Sequence, residues 1–251
     1  MSAKEGKYIY CIIASGGVSE KFSSIGIGDR GDEVYSVCYE DIAAVVSNSP
    51  IVSYRTSRDN LMAHEKAIEE VMSNHIVLPV KFATIAENEE KIRTILKNEY
   101  RKFKNMLGKI NNKKELGLKA MFKDDVIYRD ILEKRKDICE LKAAIIDKAP
   151  EKTYHQRMKI GEMVESALKD EVSTCREDIL EILSPLAVEV KVNPVFGEKM
   201  VINAAFLVEN SSEEAFDIKV NDIDVKYGGK MKLKYVGNIP PFNFVNLIIQ
   251  V

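Results

Sequence analysis

The chain reads as an α+β protein of two domains, the C-terminal one a ferredoxin-like split βαβ unit with a helical insertion. Three observations predict this. Apolar residues switch repeatedly between a period of two and a period near 3.6, the marks of half-buried strands and amphipathic helices. The second half, with one charged helix set aside, runs β-α-β-β-α-β. A polar run, Asn111-Asn112-Lys113-Lys114, separates it from a first half ordered β-loop-β-β-α-β-α. Domains are therefore expected at 1–113 and 114–251, with the insertion at about 124–150. A chain of 251 residues is long enough for either one large domain or two small ones.

Each element has its own warrant. Residues 8–14 are rich in Tyr and Ile and end at Ser15-Gly16-Gly17, a strand closed by a turn. Residues 18–33 read as loop. Residues 34–40 and 42–47 form two strands joined at Asp41, which suits a tight hairpin. Over 56–74 the period changes, and Leu61, Ile68, Val71 and Met72 share one helix face, with Ser57 or Asp59 as cap. Residues 75–83 read as a short strand despite Pro79. Residues 88–110 read as one helix with Ile92, Ile95, Leu96, Phe103, Met106, Leu107 and Ile110 inward.

The second half begins with a strand at 115–123, where Leu116, Leu118, Ala120 and Phe122 alternate. Residues 124–148 read as one charged helix whose apolar seam is Ile127, Ile131, Ile138, Leu141 and Ile145, with Lys134 in the remaining slot. A long helix at 154–183, strands at 186–192 and 200–209, a helix at 211–224 capped by Ser211 or Ser212, and a strand at 230–236 complete the order. The two long helices, joined by a short link holding Pro150, suit an αα-hairpin on the sheet.

Composition narrows the function. Lys plus Arg is 37 against 39 Asp plus Glu, a net charge of −2, which argues against a whole-surface nucleic-acid binder. The four cysteines form no CxxC pair and read as buried reduced thiols. The longest uncharged stretch, 235–251, is too short and polar to span a bilayer, so the expectation is a cytoplasmic protein.

Motifs of chemistry are weak. Gly26-Ile27-Gly28-Asp29-Arg30-Gly31 matches GxGxxG, but no strand ends just before it and no helix starts within it. It reads as a flexible hairpin loop. His64-Glu65 does not continue to HExxH, and His64 lies on the inward side of its helix as a hydrogen-bonded interior histidine. His75 and His155 complete no triad or metal cluster. The basic stretch Arg101, Lys102, Lys104, Lys109, Lys113 and Lys114 reads as a solvated helix end. No catalytic residue, cofactor or metal site is predicted.

Several blocks, in order along nearly the whole chain, resemble the gas vesicle protein F/L family. They are Tyr8-Ile9-Tyr10; the run from Tyr39 to Ser47; His64-Glu65; and Leu78-Pro79-Val80-Lys81-Phe82-Ala83-Thr84, similar to the family's LPxRFGT with Lys81 for Arg and Ala83 for Gly. Glu115 to Lys119, Val201 to Val208 and Tyr235 to Val245 follow, the last with Asn238, Ile239 and Phe242 departing from the usual closing signature. The resemblance implies a non-enzymatic accessory or minor structural protein of gas vesicle assembly. Its implied partners are the small hydrophobic shell protein and other accessory proteins, in the gas vesicle and cytoplasm, without nucleic acid or membrane. The implied fold is two α+β domains, the second a modified ferredoxin fold with a variable insertion.

A partner of a shell subunit with apolar faces needs complementary apolar surface. The candidate is the tail at 240–251, with Phe242, Phe244, Leu247, Ile248 and Ile249 as partner-binding residues, unless that tail packs between the domains. An exposed sheet edge is the second candidate. The alternative function is a small-molecule-binding regulatory module built on paired ferredoxin-like domains.

Overall fold

The computed structural model describes residues 4–249, so Gln250 and Val251 of the predicted tail lie outside the described residues. The chain divides into two compact units, Met1–Glu115 with Asn238–Val251, and Leu116–Gly237. The last residues thus belong with the first ones.

In the first unit, strands β1 (Glu5–Ala14), β2 (Lys21–Ile25), β3 (Glu33–Tyr39) and β4 (Ile42–Pro50) precede helix α1 (Arg58–Met72). Short strands β5 (Val77–Pro79) and β6 (Ile85–Ala86) follow, then helices α2 (Glu89–Asn98) and α3 (Tyr100–Ile110). The sheet order is β2-β3-β4-β1-β5, with β6 also on β1, and its strand pairs are antiparallel. Strand β1 carries a bulge. Ile9 faces Val46 and Cys11 faces Val45, leaving Tyr10 as the extra residue. Tyr8, Tyr10, Cys11 and Ile13 therefore share the face under α1, while Ile9 and Ile12 share the face under α2 and α3. Glu40, in the left-handed region at φ 51°, makes the two-residue turn between β3 and β4 that Asp41 suggested.

Two expectations change here. Residues 21–25 form a strand rather than loop; its alternation is nearly invisible because β2 is an edge strand of mostly polar residues. The helix expected over 88–110 breaks at Glu99, whose φ of −99° and ψ of 10° leave the helical region. Two shorter helices follow a twisted sheet face where one rod would lift off it. Asn88 caps α2 by accepting from the Lys91 N–H, and Ser57 caps α1 through the Asn60 N–H.

The loop holding the GxGxxG match is a hairpin connection between β2 and β3, and it is fastened rather than free. Ile27 is buried and donates its N–H to the Tyr10 hydroxyl at 2.8 Å. Gly26 passes so close to Ser47 that a Cβ would lie 2.7 Å from its Oγ, and Gly28 sits at φ 88°. The glycines serve the turn, with no helix N-terminus behind them.

The second unit takes up β7 (Lys113–Phe122) from Leu116 onward. It continues with α4 (Asp124–Lys134), α5 (Lys136–Ala143), α6 (Tyr154–Leu183), β8 (Glu189–Val192), β9 (Met200–Glu209), α7 (Glu213–Tyr227) and β10 (Met231–Ile239). Its sheet runs β10-β7-β9-β8. The predicted helix at 124–148 breaks at Arg135, whose side chain reaches forward to Asp137. The seam survives the break, since Ile127, Ile131, Ile138 and Ile145 are all buried. Lys134, in the remaining slot, instead reaches the Glu171 carboxylate on α6. Helix α7 begins after Ser212, which makes no side-chain cap bond; Glu213 and Glu214 occupy its first turn.

One face of β7 and β9 packs under these helices, through Leu118, Ala120, Phe122, Ile202, Phe206 and Val208. Phe206 meets Phe216 edge-on with centroids 5.1 Å apart. All four cysteines are free. Cys11 and Cys175 are buried as expected, Cys38 is half-buried, and Cys139 is exposed because it lies one position past the buried Ile138 of α5. Replacing Phe206 by Ala is expected to cost about 3–5 kcal/mol, read as a lowered urea midpoint.

Candidate functional site

The tail after β10 is built as anchors and exposed tips. Pro240 and Pro241 are buried and cannot donate, and their carbonyls accept from Phe242, Phe244 and Val245 to wind one tight turn. Asn243 donates its backbone N–H to the Glu115 carboxylate at 3.0 Å and its side-chain amide at 2.5 Å. Glu115 is fully buried, so this pairing answers the need of a carboxylate that has left water.

Of the five predicted partner residues, Phe244 and Leu247 are buried in the first unit, Leu247 with Val245 in the cluster beneath α2 and α3. Ile249 is half-buried against that cluster. Phe242 is 42% exposed and Ile248 65% exposed. The five are brought together in sequence but split in role, because a chain lying on a surface turns successive side chains alternately in and out. Ile248 and Ile249 also line an open groove of about 570 Å³, completed by Ile95 and Asn98 of α2, Glu99, and Lys102 and Phe103 of α3. Sequence reasoning missed those groove residues. Their signal is the inward stripe of α2 and α3, which does not reveal where the stripe is left uncovered.

Phe242 also reaches His64 of α1, with ring centroids 6.4 Å apart. The imidazole sits among Tyr8, Tyr10 and Phe82. The Tyr8 hydroxyl accepts from the Ala83 N–H at 2.9 Å and lies 3.1 Å from His64 Nδ1. The hydroxyl and Nδ1 share one hydrogen bond, whose direction follows the imidazole tautomer. Among the described residues Nε2 has no hydrogen-bond partner. Burial pushes the His64 pKa down to about 4, which the Val80 backbone offsets only in part. Burial likewise pushes the Tyr8 and Tyr10 hydroxyls and the Cys11 thiol up, so none ionises near neutral pH. This interior is a neutral hydrogen-bonded knot, as the inward position of His64 suggested. His75 Nε2 lies 3.0 Å from the Glu20 carboxylate, and His155 stands on the first turn of α6 beside Tyr154.

The second candidate surface, a sheet edge, is partly closed in the first unit. Glu70 of α1 accepts from the backbone N–H and hydroxyl groups of both Ser23 and Ser24 on β2. Burial works to raise its pKa, yet these donors hold it below the usual carboxylate range. The donors that an added strand would need at those positions are occupied. In the basic stretch, Lys102 pairs with Glu99, and Lys104 with Asp41, as a solvated helix end would. Among the described residues no group of three or more His, Cys, Asp or Glu is placed to hold a metal ion, and no helix is long and apolar enough to cross a membrane.

What the geometry defines is a mixed α/β protein of antiparallel sheets and helices, whose candidate site is an apolar surface beside a chemically quiet interior. The chain belongs to the gas vesicle synthesis protein GvpL/GvpF family, whose model matches residues 6–246. It is 27% identical over 217 residues to gas vesicle protein F of Dolichospermum flosaquae, covering 85% of this chain and 88% of that one. To gas vesicle protein F of Streptomyces sp. (strain CB03234) it is 26% identical over 238 residues, 95% and 98% of the two chains. Its fold matches the crystal structure of the gas vesicle protein GvpF from Anabaena sp. PCC7120, with a TM-score of 0.81, 24% identity, and coverage of 98% of this chain and 100% of that one.

Two outcomes follow from the site. Glu115→Ala removes the acceptor of both Asn243 bonds and is expected to cost about 2–3 kcal/mol of stability, measured by urea unfolding. His64 takes up its proton near pH 4 in the folded protein and near 6.5 in the unfolded chain. The unfolded state therefore binds more protons across that window, and stability is lost as pH falls from 6.5 to 4, by ~3 kcal/mol. His64→Gln lacks this loss, so the stability gap between wild type and variant should narrow steadily toward pH 4.

Proposed function

We propose that this protein is a non-catalytic accessory or minor structural component of gas vesicle assembly, working in the cytoplasm and at the vesicle. It acts by direct contact with the small hydrophobic shell protein and with other accessory proteins. The observation that carries this reading is the tail. Its inward residues are fastened in the first unit, while Phe242 and Ile248 are held outward, Ile248 at the rim of the groove with Ile95 and Phe103. A short apolar strip presented on a rigid base is what a partner with an apolar face can use, because little chain entropy is lost on binding. Family membership supplies the setting, since the relatives are named for gas vesicles.

The second unit is read as a ferredoxin-like split βαβ. The order β10-β7-β9-β8 supports it, with α6 and α7 as its two crossover helices and α4–α5 as the insertion.

The test is capture of co-expressed shell protein by the tagged full-length chain. Deleting the tail would remove Val245 and Leu247 from the core, so outward residues are changed instead. Phe242→Ser with Ile248→Ser is expected to cut capture at least fivefold while the melting temperature stays within a few degrees. Undiminished capture by that double variant would move the contact away from the tail. No capture by the folded wild type would refute direct contact with the shell protein.

A further inference from the structure

Six lysines of the second unit reach carboxylates: Lys134 and Lys230 reach Glu171, Lys169 reaches Glu165, Lys219 reaches Asp222, Lys226 reaches Asp178, and Lys199 reaches Asp124. Others, such as Lys142 of α5, stand exposed without one among the described residues. The sheet face turned away from the helices is set apart by gathering three such lysines on two adjacent strands. Strands β7 and β10 are neighbours, and their inward residues are Leu118, Ala120 and Phe122 on one and Met231, Leu233 and Tyr235 on the other. By the period of two, Lys119 and Met121 of β7 and Lys232, Lys234 and Val236 of β10 share the opposite face. All five are exposed, Met121 at 45% and Val236 at 39%.

None of these three lysines has a hydrogen bond or ion pair among the described residues. From Leu116 to the end of β10's range, neither strand contains an Asp or Glu. The acids on that side of the sheet are Glu209, the last residue of β9, and Glu189 of β8 at the far edge, where it and Lys191 have contacts of their own. Three like charges on adjacent strands repel one another, and among the described residues no carboxylate is bonded to any of them.

Strand β10 is also the last in its sheet, and among the described residues no strand pairs with the other side of its backbone. Lys232, Lys234 and Val236 follow one another at every second residue, so an extended segment laid along that edge would present its own alternate side chains to them. We propose that this edge and face dock an acidic polypeptide segment in extended form, with carboxylates at alternate positions meeting Lys119, Lys232 and Lys234. Backbone pairing along β10 would set the register, and the lysines would select the charge. A nucleic acid fits less well, because the exposed face offers Met121 and Val236 but no aromatic ring for a base to stack on. This inference does not rest on the gas vesicle reading.

The test uses a fluorescein-labelled peptide, (Glu-Thr)5, titrated with the full-length protein and followed by fluorescence polarisation. Saturable binding is expected, weakening as salt is raised. The triple variants Lys119→Glu/Lys232→Glu/Lys234→Glu and Lys119→Gln/Lys232→Gln/Lys234→Gln should each lose at least tenfold in affinity while melting like wild type. The glutamines guard against misfolding from charge reversal. Lys66→Glu/Lys142→Glu/Lys148→Glu changes net charge equally at exposed, unpaired lysines elsewhere and should change affinity less than twofold. The proposal is overturned if wild type does not bind, if both Glu triples lose equally, or if a (Glu-Thr)5 peptide N-methylated at every residue, which has no backbone N–H to donate along a strand, binds as well. Tighter binding of a ten-nucleotide single-stranded DNA would overturn it in favour of a nucleic-acid surface.

Discussion

Residues 8–13 of β1 are all buried, because the strand lies inside its sheet with helices on both faces. A sheet that is apolar on both sides needs a cover on each. Helix α1 supplies one, through Ala67, Ile68 and Val71. Helices α2 and α3 supply the other but leave a gap, which Val245 and Leu247 fill from the far end of the chain. The tail belongs to the first unit for that reason. Its apolar residues are needed there before any partner is considered, and only those it cannot turn inward are left to meet one.

The bulge at Tyr10 makes this arrangement possible. Without the extra residue, strict alternation would place Tyr8 and Cys11 on opposite faces. With it, Tyr8, Tyr10, Cys11 and Ile13 all pack toward α1. The two hydroxyls then serve as interior donors and acceptors. Tyr10 fastens the β2–β3 connection through the Ile27 N–H and meets Ser47 at 2.9 Å, while Tyr8 joins Ala83 to His64. One inserted residue thus ties a loop, a helix and the β5–β6 connection to the central strand.

Polar groups elsewhere are arranged with the same economy. Glu70 closes part of the β2 edge, and Glu115 holds the tail, each carboxylate taking backbone donors that would otherwise go unpaired. At the hairpin between β3 and β4, Asp41 accepts from Tyr100 at 2.5 Å and Lys104 at 2.6 Å, clasping α3 to the turn. Those contacts hold the Asp41 carboxyl below its ordinary range, Lys104 most strongly, and push the Tyr100 hydroxyl up to about 12. Against this background of paired groups, β7 and β10 stand out by carrying three unpaired lysines on one face.

Much of this was legible in the residues. Periodicity placed α6 and β9 at the bounds they have, located the β3–β4 turn at Asp41, and put His64 inside its helix. These are local properties: a period, a turn residue, a face. Strand β2 escaped notice because an edge strand is neither strongly apolar nor alternating enough to stand out. The helices at 88–110 and 124–148 read as continuous because apolar spacing carries across a break, while the breaks at Glu99 and Arg135 are set by the surfaces the helices follow. By itself the sequence determined most of the element types, the buried faces and the family blocks. Tertiary structure alone decided that Tyr10 is bulged, that the tail returns to the first unit, and which of its apolar residues stay outward. Those outcomes depend on which surfaces are still uncovered once the other elements have packed, and no local pattern records that.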